Sequence, residues 1–119
     1  MKREQRLRTR ADFGHVREAA LRAWPHRLLV VYTAPNDLAT SRVGITVSGR
    51  VGKAVARNRV RRRLREALTA MFPHLLAGQD VLVIARPRSA QATWPDLIQA
   101  LENVFARAGL LTGPAGAAG

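Results

Sequence analysis

The chain has 119 residues, 47% of them hydrophobic, and sets 20 Lys+Arg against 8 Asp+Glu for a formal charge of +12. That hydrophobic share exceeds what a disordered chain carries and the length suits one modest core, so the charge is displayed on a single folded domain. Cysteine is absent, which excludes disulfides, thiolate metal sites and a cysteine nucleophile.

No run approaches the roughly 18 to 20 apolar residues of a spanning helix, and the basic start MKREQRLRTR has no apolar stretch behind it. The expectations are therefore no membrane partner, no secretory signal and a cytoplasmic location. An excess of cations this large points to a polyanion, with nucleic acid favoured.

In chain order, Thr9 can cap a helix expected over residues 10–20, with Asp12 in capping-box position and Phe13, Val16 and Ala20 on one face. A short strand around Ala20 to Trp24 is a further option. RLLVVYTA, Arg27 to Ala34, is rich in β-branched residues and reads as a strand. The turn-forming stretch APNDLATS separates it from a second strand, RVGITVS, Arg42 to Ser48, and the pair is expected to form an antiparallel hairpin with a long loop.

From Ala54 to Met71 the apolar residues Ala56, Val60, Leu64, Ala67, Leu68 and Met71 fall on one arc of a helix. Pro73 stops it. DVLVIARP, Asp80 to Pro87, is an apolar run suited to a strand buried on both faces, and a last helix starts at Pro95 with Thr93 or Trp94 as its cap. The fold class expected is α+β: a single-domain α-β sandwich, with helices on a small mixed sheet, over residues 1–111. Residues 112–119, within TGPAGAAG, are expected to be a disordered tail.

The chemistry of an enzyme is thin here. His15, His26 and His74 have no metal-ligand spacing, and the eight carboxylates are scattered, so neither a protein-borne catalytic site nor a metal site is expected. The basic helix is different. Between Arg50 and Arg65 stand eight cations and no acid, so Arg57/Arg61, Arg59/Arg63 and Arg61/Arg65 repel at helical spacing. Ordinary solvated helix faces balance such charges; a phosphate polyanion would relieve the repulsion and accept bidentate guanidinium bonds. Phe13 and Tyr32 are candidates for stacking unpaired bases, and core packing accounts for them equally well.

RVGITVSGRVGKAVARNRVRRRLRE resembles the signature block of the protein subunit of bacterial ribonuclease P. RLRTRADF is similar to that family's entry to the first helix, DVLVIARP to its last strand, and Leu97 to Leu110 to its C-terminal helix. The resemblance implies a left-handed crossover from the second strand through the basic helix to a parallel neighbour. It implies a ribonucleoprotein in which a catalytic RNA, using Mg²⁺, cuts the 5′ leader from precursor tRNA while the protein binds ribonuclease P RNA and the leader.

By that resemblance Arg57, Asn58, Arg59, Arg61, Arg62 and Arg65 contact the RNA subunit, with Arg50, Lys53 and Arg6 placed for nearby backbone contacts. Phe13, Tyr32 and Arg42 match the cleft that holds the leader. Two positions depart from the pattern: Arg17 stands where many relatives have a second aromatic, to stack by its guanidinium or bind phosphate, and Gly49-Arg50 where relatives often carry lysines. An alternative reading is a ribosomal-type structured-RNA module with no part in cleavage, which would show no dependence on a leader.

Overall fold

The computed structural model describes residues 1–112 and has three helices on a four-stranded mixed sheet. The helices are α1 (Arg10–Ala19), α2 (Ala54–Met71) and α3 (Trp94–Arg107). The strands are β1 (Ala23–Pro25), β2 (Leu29–Pro35), β3 (Arg42–Val47) and β4 (Gln79–Ala85). Local signals set the helix ends. Thr9 and Asp12 close a capping box on α1, the Thr93 hydroxyl accepts from the Asp96 amide at the start of α3, and a 3-10 turn over Phe72–His74 follows α2 at Pro73.

The strand order is β1-β2-β4-β3, which overturns the expected hairpin between β2 and β3. β4 lies between them, antiparallel to β2 and parallel to β3. The physical reason is in β4 itself: Val81, Leu82 and Val83 are all buried, so both of its faces need cover and it takes a central place. β3, carrying Arg42, Gly44 and Thr46 on one face, is left at the edge. The segment before β2 also differs, because the Leu28 amide donates to His26 Nδ1 and the His26 amide to the Leu29 carbonyl, bending residues 26–28 out of the strand.

Alternation along the strands divides the sheet into two faces. Leu29, Val31, Val43, Val81 and Val83 join Val60 and Leu64 of α2 and Leu101 and Phe105 of α3 in the main core. The other face carries Tyr32, Leu82 and Ile84, and α1 lies on it with Val16 and the preceding Leu7. The result is α1, sheet, then α2 with α3, in three layers. Leu75 and Leu111 form a β-bridge and the Thr112 amide donates to the His74 carbonyl. The remainder of the 112–119 stretch lies outside the described residues. Among the described residues no helix is long and apolar enough to cross a membrane.

Candidate nucleic-acid interface

α2 turns Val60, Leu64, Ala67 and Leu68 inward, and its arginines occupy the remaining arc. Those arginines divide by direction. Arg61 and Arg65 line a cavity toward the N-terminal segment, Arg63 donates to the Ala92 carbonyl at 3.2 Å on the opposite flank, and Arg59 and Arg62 are exposed between them. Arg61 also donates to Asn58 Oδ1 at 3.1 Å, so Asn58 holds one guanidinium in place. Arg57 is half-buried with a buried, unpartnered Nε. Among the described residues no carboxylate lies within 4.0 Å of an α2 guanidinium, so the charge repulsion inferred from the sequence is not offset inside the chain. Lys53, Arg50 and the first turn of α2 add no acid.

The N-terminal segment runs beside β3. Arg6 bridges Val43, the Leu7 amide donates to the Val43 carbonyl at 3.0 Å, and Leu7 is buried while Arg6 and Arg8 stay exposed. This covers part of an open sheet edge. It also brings Arg6 and Arg8 together with Arg61 and Arg65 around a cavity of about 330 Å³, which Phe13 and Gly44 also line. The two groups of residues that the sequence assigns to different contacts therefore meet around the edge of β3.

On the face under α1, one row across the sheet reads Tyr32, Leu82, Gly44. α1 crosses this row obliquely, with Phe13 over Gly44 at one end and the Arg17 guanidinium 5.5 Å from the centre of the Tyr32 ring at the other. Arg17 thus takes the cation–π position on Tyr32 that a second aromatic would fill by stacking. The next row, Val30, Ile84 and Thr46, is half-buried and forms the floor beside α1.

Arg42 lies on this face, but its guanidinium is engaged. Nε and Nη2 donate to the two oxygens of Asp80 at 2.9 and 2.7 Å, and Nη1 stands 4.0 Å from Asp12. Asp80 is 2% exposed, and Asn36 donates to it at 2.9 Å, so a buried charge is fully partnered. Hydrogen bonding to Asp80, against some desolvation, raises Arg42 above its ordinary value. Desolvation pushes the Asp12 carboxyl up, but the Arg8 and Thr9 amides, the Thr9 side chain and Arg42 together hold it below its usual range.

Sequence reasoning missed three parts of this site. Gly44 had a signal, since a glycine within a strand marks close approach by another group. Asp80 and Leu7 offered none beyond an acid and a leucine. Among the described residues no three His, Asp or Glu side chains are grouped to hold a metal ion.

A basic helix bordering a cleft that holds Phe13 and Tyr32 on an α+β sandwich puts the chain in the class of nucleic-acid-binding subunits. The particular family is settled by comparison: the Ribonuclease P family model matches residues 1–109, and the chain belongs to the family of ribonuclease P protein components. It is 40% identical to the component from Roseiflexus castenholzii over 95% of this chain and 93% of that protein. Identity to the one from Paramagnetospirillum magneticum is 45%, over 92% of this chain and 86% of that protein. The solved Staphylococcus aureus protein superposes with a TM-score of 0.83 at 33% identity, covering 91% and 98% of the two chains. The Thermotoga maritima protein gives 0.77 at 28%, covering 86% and 96%. The holoenzyme of this family is an endoribonuclease of tRNA 5′ processing, and this chain is its protein component.

Proposed function

We propose that α2 binds the phosphate backbone of ribonuclease P RNA through Arg57, Arg59, Arg61, Arg62 and Arg65, with Asn58 ordering Arg61 and with Arg50 and Lys53 adding charge at the helix start. The cleft under α1 holds the single-stranded 5′ leader of precursor tRNA, with Phe13 and Tyr32 stacking on its bases and Arg17 adding charge beside Tyr32. Arg42 acts there as a positioning residue through Asp80. Mg²⁺ and the catalytic step belong to the RNA subunit, and the complex works in the cytoplasm. The domain that does this is residues 1–111.

The observation that supports the reading is the shared cavity. Phe13 of the cleft and Arg61 and Arg65 of the basic helix line one space, so a leader leaving the RNA surface meets the stacking ring without crossing a neutral gap. No catalytic step is asked of the protein. It neutralises backbone charge where two RNAs meet and fixes the path of one of them.

The test is cleavage of a 5′-extended precursor tRNA at low Mg²⁺ by the protein alone, by a bacterial ribonuclease P RNA alone, and by both. Cleavage is expected from the mixture, with little from either part. Cleavage by the protein alone would overturn the reading, and no gain on adding protein to RNA would favour a structured-RNA module without a role in processing.

A further inference from the structure

The start of α3 is secured without the side chain of its first residue. The Thr93 hydroxyl accepts from the Asp96 amide and Pro95 sits in the first turn, so neither the cap nor the helix entry needs Trp94. The core does not use it either. Ala90, Ala92 and Ile98 pack against the main cluster, and Trp94 does not join them. It is 38% exposed, the one aromatic among the large exposed hydrophobic side chains of the described residues. The Tyr32 ring has Arg17 over it and the Trp24 ring has Arg22, but among the described residues no cation lies over Trp94. Its indole is a flat apolar surface with neither a structural use nor a cover.

The flank beside it is basic. Arg63, which the RNA-subunit reading above leaves without a role, donates from Nη1 to the Ala92 carbonyl, two residues before Trp94. That bond fixes the guanidinium on this flank, and among the described residues its other donors have no carboxylate within 4.0 Å. Arg59 stands one turn earlier on α2 and is exposed. Asp96, the acid of this turn, lines a hollow with Arg27 and Arg88, where cations outnumber it. An open aromatic face next to a fixed cation suits a ligand that is both flat and anionic. Single-stranded nucleic acid is both, with a base for the indole and a phosphate for the guanidinium. Arg61 and Arg65 face the cleft from the other flank of α2, so a strand reaching Trp94 is one bound along the helix and not the leader.

We infer that Trp94 and Arg63 form a second RNA contact, where an unpaired base of the RNA subunit stacks on the indole and a neighbouring phosphate takes the free donors of Arg63. The inference rests on the reading of α2 as the RNA-subunit helix. It makes that RNA grip α2 from both flanks.

The chain has two tryptophans, so Trp24→Phe leaves Trp94 as the single reporter. The experiment titrates this variant with a bacterial ribonuclease P RNA, without precursor tRNA, and follows Trp94 emission and its quenching by acrylamide. Emission should fall and acrylamide should lose access as the complex forms. No change on binding would overturn the contact, and a change seen only after precursor tRNA is added would overturn its assignment to the RNA subunit. In parallel, Trp94→Ala should bind the RNA roughly tenfold more weakly with an unchanged salt slope, as for one lost stacked base, and Trp94→Phe should keep most of the affinity. Equal losses in the two, or none in either, would rule out stacking. Arg63→Gln should instead flatten the salt slope by somewhat under one log unit per log unit of salt, and an unchanged slope would overturn its phosphate role. Failure of the α2 reading looks different: Arg59→Gln/Arg62→Gln would then leave RNA-subunit affinity as in wild type.

Discussion

The Phe13 ring lies against the bare backbone of Gly44, so closely that a Cβ at that glycine would stand 2.9 Å from Phe13 Cζ and 3.0 Å from Leu7 Cβ. The wall of the cleft is therefore set by a missing side chain. Gly44→Ala must push Phe13 or Leu7 aside, and overpacking of this kind costs about 1 to 3 kcal/mol. The expected outcome is a lowered urea midpoint together with reduced preference for precursor over mature tRNA, while binding of the RNA subunit is kept. A preference equal to that of wild type would show that the Phe13 position does not govern the leader.

Asp80 pairs with Arg42 in the neighbouring row of the sheet, beside Gly44. It is buried, and its two oxygens receive Arg42 while Asn36 donates to one of them. Removing one partner of such a pair leaves the other charge without compensation, which costs about 3 to 5 kcal/mol when both are deeply buried. Arg42 keeps partial solvent access, so a loss of about 2 to 3 kcal/mol is expected for Asp80→Ala. Arg42→Ala strands the more deeply buried member and should cost at least as much. Denaturant unfolding of both variants checks the order; a much milder effect from Arg42→Ala would mean that Asp80 finds water or another donor.

How far these features can be read from the chain depends on whether their cause is local. The limits of α2 and the Thr9–Asp12 box follow from neighbours within a few residues, and the structure has both where the sequence puts them. The β2–β3 hairpin fails because nothing inside either strand names its neighbour. What decides is β4, almost 40 residues beyond β3 in sequence at its start, whose two apolar faces take the centre of the sheet. Arg42 shows the same limit within the site. Its face follows from strand alternation, but the engagement of its guanidinium requires Asp80 from a distant strand, which in the sequence is one scattered carboxylate among eight.

Arg17 over Tyr32 separates stacking from charge. Arg17→Phe keeps a planar group above the ring and removes one cation, whereas Arg17→Ala removes both. Both variants should flatten the salt dependence of leader binding by somewhat under one log unit per log unit of salt, as for one lost phosphate contact. Arg17→Phe alone should retain affinity at high salt. Titrations of a fluorescent precursor across a salt series would show this, and identical curves for the two variants would mean that Arg17 contributes charge and no stacking.

His26 makes the stability of the turn before β2 depend on acidity. Its Nδ1 accepts the Leu28 amide at 3.0 Å, which requires that nitrogen unprotonated, and its carbonyl accepts Arg86. Desolvation first, then the charges of Arg107 and Arg27, hold the imidazole below its ordinary value of 6.5. The unfolded chain therefore binds more protons than the folded one as pH drops below that value. The stability contributed by neutral His26 is complete above about pH 6.5 and is lost as the pH falls toward its folded value. Asp12, held below 3.8, titrates outside this window. Thermal unfolding should thus move to lower temperature between about pH 7.5 and about pH 5. His26→Asn, whose side-chain oxygen can accept the Leu28 amide at any of these pH values, should remove part of that shift. An equal shift in the variant would place the titration on another group. A larger one would mean that the histidine gains a partner on protonation, the opposite of what its arginine neighbours require.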